Sequence, residues 1–355
     1  MNIAFFGSSL VSAYWNGAAT YYRGLLKALH ARGHAITFYE PDAYERQQHR
    51  DIADPPYARV VVYENHPDAA QRALEAARGA DLIVKASGVG VFDALLEAGV
   101  LALKNGANHV VFWDVDAPAT LERVENDAND AFRPLISQYD AIFTYGGGQP
   151  VISAYEKLGA RKCAPIYNAL DADTHFPGQR DARFDGDLGF LGNRLPDREA
   201  RVEQFFLDVA SLLPHKTFIL GGSGWGDKNM PPNVNYVGHV YTRDHNAFNA
   251  TPLAVLNIAR DSMARFGFSP ATRVFEAAGG AACLISDFWE GIETFFEPQS
   301  EILVARDGNE VAAILGELSP QRAREIGDRA LQRARAEHLY IHRAGKVEEA
   351  LGVKS

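Results

Sequence analysis

Cysteine is nearly missing from this chain: Cys163 and Cys283 are the only two among 355 residues. They allow neither a disulfide framework nor a cysteine metal set, and they read as reduced, buried thiols. Long apolar runs are missing too. No stretch approaches the roughly 20 residues that span a bilayer. The opening Met1-Asn2-Ile3-Ala4-Phe5-Phe6-Gly7 is too short, and lacks the basic start, for a signal peptide. The expectation is a cytoplasmic protein with no transmembrane segment, peripheral membrane contact staying open. Positive charge is in deficit: 35 Lys and Arg stand against 45 Asp and Glu, a net charge of −10. With no basic run, nucleic acid is not expected as a partner. An anionic small ligand would have to be met by a local arginine cluster. A clustered metal-ligand motif is missing as well. Asp114 and Asp116 have no third ligand nearby, and Asp171-Ala172-Asp173 falls in a polar linker, so no metal site and no cofactor are expected.

What is present is strand–helix alternation. Ile3–Phe6 is the continuous apolar run of a central parallel strand, followed by Gly7-Ser8-Ser9, a helix over 18–32 and a strand over 34–40. Further strands are expected at 60–63, 82–85, 109–113 and 141–145, with helices near 68–78, 91–99, 119–137 and 150–158. The stretch 167–178 reads as a linker. The pattern then restarts, with strands at 188–191, 217–220, 234–237, 253–258, 281–285 and 302–305 and helices at 197–213, 241–249, 270–278, 308–317, 320–336 and 338–351. The length exceeds one ordinary core, and the expectation is an α/β chain of two doubly wound, Rossmann-like domains facing a cleft. Their bounds are read as 1–170 and 180–336, with 338–355 as a closing helix.

Candidate functional groups lie where strands end, the edge at which open α/β sheets place ligands. Gly7 and Ser8 follow the first strand in a loop that is not G-x-G-x-x-G; they read equally as a tight turn. Gly192-Asn193-Arg194 follows the first strand of the second domain, and Arg194, in the loop, is the better phosphate candidate. Arg198 and Arg201 read as helix-surface partners of Glu199 and Glu203. Gly222-Ser223 and Gly238-His239 follow the next two strands, where small residues let a ligand near the backbone. Arg260 follows the fourth. Next comes Ser269-Pro270-Ala271-Thr272-Arg273-Val274-Phe275-Glu276, with Ser269 as N-cap and Pro270 at the first helical position. Its free N–H groups suit a phosphate and Glu276 suits sugar hydroxyls, while an ordinary Arg–Glu surface pair fits the same residues. In the first domain Asp114 and Asp116 could act as base or orient an acceptor hydroxyl, and Asp116 reads equally as a helix cap ahead of Pro118.

Arg273-Val274-Phe275-Glu276-Ala277, followed by Gly280 and Asp287, resembles the C-terminal domain of CgeB-like (spore-maturation-type) glycosyltransferases. So do Asn257-Ile258, Tyr236-Val237-Gly238-His239 and His338-Leu339-Tyr340-Ile341-His342-Arg343. Asp116–Pro118 and the stretch from Tyr145-Gly146-Gly147-Gly148 to Asn168-Ala169-Leu170-Asp171 are similar in the first domain. The resemblance implies a GT-B fold with the donor held mainly by the second domain and the last helix crossing back to the first. It puts Glu276 on the ribose and Ala271-Thr272 at the diphosphate of a UDP-, GDP- or dTDP-sugar. Phe268 departs from the pattern, standing where the broader class has the first glutamate of Glu-x7-Glu. The expected activity is metal-independent, retaining transfer, with Arg194, Arg273, Asp114 and Asp116 as catalytic candidates. The acceptor is left as a saccharide, a protein or a small molecule. A nucleotide-sugar 2-epimerase and a non-catalytic sugar-nucleotide-binding protein are the alternatives.

Overall fold

A computed structural model describes residues 1–14 and 16–353. The chain divides into two units, residues 1–168 with 340–355, and residues 169–339. The first holds a seven-stranded parallel sheet: β1 (Asn2–Phe6), β2 (Ala35–Pro41), β3 (Arg59–Tyr63), β4 (Leu82–Ala86), β5 (His109–Asp114), β6 (Ala141–Thr144) and β7 (Cys163–Pro165). The order is β3-β2-β1-β4-β5-β6-β7. Phe5 lies level with Phe38 on one side and Val84 on the other. The central strands β1, β4, β5 and β6 are buried along nearly their whole length, which is why they read as unbroken apolar runs. The strand order reverses between β1 and β4, so the switch point of this sheet lies beyond Phe6 and Ala86.

Its helices are α1 (Ala19–Ala31), α2 (Pro67–Ala76), α3 (Asp93–Leu101), α4 (Ala117–Asn126) and α5 (Gly148–Lys157). The single helix expected over 119–137 is in fact broken. Asp127 accepts from the Asn129 N–H at 2.8 Å and Asp130 from the Phe132 N–H at 2.9 Å. These local bonds compete with helix continuation, and a 3₁₀ turn, Arg133–Gln138, follows. The chain's last helix, Tyr340–Leu351, also belongs to this unit. It packs on α1 at Gly24, where a Cβ would stand 2.2 Å from the Tyr340 ring. Arg32 bonds Glu348 at 2.8 Å, and Arg343 donates to the Asn168 carbonyl at 3.1 Å.

The second unit has β8 (Leu188–Leu191), β9 (Phe218–Gly221), β10 (Val234–Gly238), β11 (Ala254–Asn257), β12 (Leu284–Asp287) and β13 (Leu303–Ala305). Their order, β10-β9-β8-β11-β12-β13, repeats the doubly wound arrangement with all pairs parallel. The expected helix over 197–213 contains a π-helical turn, Glu203–Leu207, between α6 (Glu199–Val202) and α7 (Asp208–Leu212). α8 (His245–Ala250), α9 (Asp261–Phe266), α10 (Thr272–Gly279), α11 (Gly308–Glu317) and α12 (Pro320–Glu337) complete the unit. Phe190, Phe206, Phe218, Leu256 and Ile285 meet in its core. Among the described residues no helix is long and apolar enough to cross a membrane.

Candidate functional site

In the second unit the switch point falls between β8 and β11. The loops beyond β8, β9, β10 and β11 and the start of α10 all leave the sheet at its carboxyl edge. Gly192 and Gly222 make the first two loops interlock. A Cβ on Gly222, whose φ is +122°, would lie 2.2 Å from the Gly192 carbonyl oxygen. The exposed Asn193 accepts from the Ser223 N–H at 2.9 Å, and Arg194 N–H reaches the Ser223 carbonyl at 2.9 Å. Ser223 Oγ stands 3.4 Å from His239 Nδ1, joining the loop after β10 to the same group. Gly238 has φ +74°, which turns the chain before the exposed His239.

α10 begins two residues later than its sequence suggests. Its N-cap is Ala271, without a side-chain cap, and Ser269 bonds the Gly267 carbonyl instead. Pro270 therefore lies ahead of the helix. Capping is thus left to the backbone, and the N–H groups of the first turn are offered at a positive dipole end. Ala271, Thr272 and Arg273 are partly exposed there.

One turn into α10, Glu276 is 3.1 Å from Arg273 Nη1 and 3.8 Å from His175 Nε2. His175 comes from the stretch read as a linker. Asp171 folds that stretch into a turn by accepting from the Asp173 N–H and the Thr174 hydroxyl, both at 3.1 Å. This is the structural use of the Asp171-Ala172-Asp173 pair. Gly279 lets the turn approach α10: a Cβ there would lie 2.9 Å from the His175 carbonyl oxygen. His245, the first residue of α8, faces His175 with ring centroids 5.9 Å apart. Burial tends to raise the Glu276 carboxyl, but Arg273 first, then His175 and His245, bring it below its ordinary range. Burial lowers both histidines, His245 to about 4. At neutral pH the group is a carboxylate flanked by one guanidinium and two neutral imidazoles.

The arginines are not disposed as their sequence positions suggest. Arg194 spends its guanidinium on Glu199 at 2.7 Å and Asp227 at 2.9 Å, and those bonds hold it firmly protonated. Arg260 is paired with Asp197 at 2.5 Å. Arg198, which read as a surface partner of Glu199, instead lies over the Phe190 ring and donates to the Asn193 carbonyl at 2.6 Å. Burial, then repulsion from Arg273, lowers its pKa. Arg201 likewise reaches inward, to the buried Asp287 at 2.6 Å. Nε of Arg198, Nε of Arg273, Nε2 of His175 and Nδ1 of His245 are buried without a hydrogen-bond partner, and Arg273 Nη1 has the Glu276 ion pair at 3.1 Å. Unmade buried hydrogen bonds are costly. These groups gather around the start of α10.

His175, His245 and Glu276 also bring three potential metal-ligand atoms within 4.8 Å of one another, a set the sequence did not suggest. Two imidazoles and a carboxylate suit a transition-metal ion. The neighbouring Arg273 and Arg198 cations weigh toward an anion at this position.

In the first unit Gly7, Ser8 and Asp114 are engaged by the fold. Gly7 is buried; a Cβ there would lie 2.5 Å from the Phe38 ring. The buried Ser8 hydroxyl donates to Asn16 at 2.8 Å. Both serve the turn after β1. Asp114, expected as a base, is fully buried. It accepts from Ser87 at 2.8 Å, Thr120 at 3.0 Å, Tyr155 at 2.5 Å and the Asp116 N–H at 3.1 Å. Burial raises its pKa, and four donors fix it as the lock of the β5–α4 turn. Asp116 is at the N-cap of α4, partly exposed, and its side chain makes no cap bond.

Residues 198–349 match the family described as glycosyl transferase-like. No curated protein matches the chain by sequence. Among solved structures, sucrose-phosphate synthase from Thermosynechococcus elongatus is similar with a TM-score of 0.73 and 12% identity, over 99% of this chain and 98% of that one. Anabaena Alr3699/HepE in complex with UDP-glucose has a TM-score of 0.66 and 14% identity, over 99% of each chain. T4 phage BGT in complex with its UDP-glucose substrate has a TM-score of 0.63 and 11% identity, over 99% of this chain and all of that one. The chain thus has the fold of the GT-B glycosyltransferases, two Rossmann-like parallel-sheet domains, and residues 198–349 of it are similar to the glycosyl transferase-like family.

Proposed function

We propose that the protein transfers a sugar from a nucleoside-diphosphate sugar, held by the second unit, to an acceptor on the first. The observation that carries this is the cluster of buried, unpartnered guanidinium and imidazole N–H and N groups around α10, with Glu276 among them. Arg273, Arg198 and the first turn of α10 would take the diphosphate, and Glu276 the ribose hydroxyls. Gly238-His239 offers backbone groups to the base. Charge grows on the diphosphate as the glycosidic bond breaks, and fixed cations and a helix start stabilise it there without reorganising. Arg194 and Arg260 support this edge through Glu199 and Asp197. A uridine nucleotide is the first choice of donor, since HepE and T4 phage BGT are solved with UDP-glucose. The resemblance to CgeB-like enzymes supports the same reading, and the proposal includes retaining, metal-independent transfer by a cytoplasmic enzyme.

Phe268 bears on how the sugar is gripped. Its φ is +45°, and a Cβ on Gly291 would lie 2.1 Å from its ring. The ring packs down where the broader pattern supplies a carboxylate, so the sugar must be held by other groups. Calorimetry with UDP, GDP and dTDP, followed by hydrolysis and transfer assays on the sugars of whichever binds, tests the reading. Product anomers read by NMR test retention. Absence of binding to all three nucleotides would sink it.

A further inference from the structure

We infer that His175, His245 and Glu276 take a transition-metal ion of the zinc type, and that this ion and the nucleotide exclude each other. The metal site rests on the geometry of the second unit alone; the exclusion rests on the proposed donor site.

Among the described residues these three side chains are the one set of His, Cys, Asp and Glu groups that closes to ligand distance, one ligand atom from each lying within 4.8 Å of the others. In a tetrahedral site with bonds of about 2.0–2.1 Å the ligand atoms stand about 3.4 Å apart. His175 Nε2 and Glu276 Oε1 are already at 3.8 Å. Small side-chain rotations therefore complete the set. Its two imidazoles and one carboxylate leave a fourth position for water, as in open zinc sites.

The ligands are held ready. Nε2 of His175 and Nδ1 of His245 are buried without a hydrogen-bond partner, so a metal displaces no protein contact of theirs. Burial keeps both rings neutral at pH 7, the form that ligates. Glu276 uses its two oxygens separately. Arg273 Nη1 holds Oε2 at 3.1 Å, while Oε1 is the oxygen nearer His175. A metal on Oε1 leaves the Arg273 contact in place, as the outer partner that orients a ligating carboxylate. The three ligands are carried by different elements. His175 is set by the turn in which its N–H donates to the Asp171 carbonyl at 2.9 Å, His245 opens α8, and Glu276 lies within α10.

Arg273 and Arg198 act on affinity and not on the ligand set. Their charge repels a divalent cation, which keeps the ion exchangeable. The ion in turn occupies the Glu276 oxygen that a ribose would use, since Arg273 already holds the other. The metal is thus a brake on nucleotide binding and not a cofactor of transfer.

The test uses the untagged full chain, stripped of metal by a chelator, with Zn²⁺ or Co²⁺ alone as the probe. Calorimetry should show one equivalent of Zn²⁺ per chain, and Co²⁺ should give the visible absorption of a four-coordinate site, a readout that needs no variant. His175→Gln and His245→Gln should each weaken zinc at least tenfold, with melting scans checking that both fold. Zinc at ten times its Kd should raise the apparent Kd for UDP about elevenfold in the wild type. His175→Gln, whatever its own UDP affinity, should show no such zinc effect, which separates the site from zinc held by UDP in solution. No zinc bound, a six-coordinate cobalt spectrum, zinc bound equally by both histidine variants, or zinc and UDP bound together without mutual effect would each overturn the inference. Zinc held through the two histidines by a chain that takes no nucleotide would instead overturn the donor reading and leave the metal site standing.

Discussion

Replacing Glu276 by glutamine separates the two tasks assigned to the α10 cluster. In the wild type the carboxylate both faces the proposed ribose position and balances Arg273, 3.1 Å away. Glutamine keeps the volume and removes the charge. A hydrogen bond to a charged group contributes about 1.5–3 kcal/mol, so UDP affinity should fall roughly 10- to 100-fold. Inorganic pyrophosphate makes no ribose contact. Its affinity should hold or rise, because Arg273 loses its carboxylate competitor. Titration calorimetry with UDP and with pyrophosphate reads both quantities, and a melting scan checks that the fold survives removal of one member of a partly buried pair. Equal losses for UDP and pyrophosphate would refute the division of roles.

Other perturbations discriminate further. Arg198→Ala should cost UDP affinity roughly tenfold or more, as expected for a charge-assisted phosphate contact, and Arg194→Ala should change it little, because that guanidinium is spent on Glu199 and Asp227; calorimetry on both variants decides. Stability should depend on His245. Its pKa is lowered from 6.5 to about 4 by burial, then by Arg273, so between those values the unfolded chain binds the extra proton. Stability is then full above about pH 6.5 and falls as the pH drops toward 4. The loss is about 2 kcal/mol by pH 5. Urea unfolding at pH 7 and pH 5 should show it, and His245→Gln should lessen it, His175 contributing in the same direction. Asp114→Ala should cost about 3 kcal/mol in unfolding free energy, since it strands several buried donors, while leaving nucleotide affinity intact.

Most of the sheet architecture was legible because buried parallel strands write themselves as apolar runs. Ile3–Phe6, Leu82–Lys85 and Leu188–Leu191 are all recognisable without a structure. β7 was missed because three residues, Cys163–Pro165, carry no pattern. The strand ends at the carboxyl edge of the second sheet were legible from their glycines, yet which arginines pair at the surface and which turn inward was not. Position in a loop suggested Arg194, whereas the fold turns Arg198 inward over Phe190 and lets Arg194 pair at the surface. His175 was invisible for a different reason. It lies in an irregular stretch, and its approach to Glu276 depends on the Asp171 turn and on the missing side chain of Gly279. Asp114 read as chemistry because carboxylates after strands often are. Its four donors come from residues scattered between 87 and 155, a convergence that only the fold displays.

The most direct test of the central claim is a crystal structure of the protein with UDP. The account predicts the diphosphate at the start of α10 on Arg273 and Arg198, with a ribose hydroxyl within hydrogen-bond distance of Glu276. UDP bound in the first unit, or in the second with Glu276 still turned to Arg273 and no ribose contact, would contradict it.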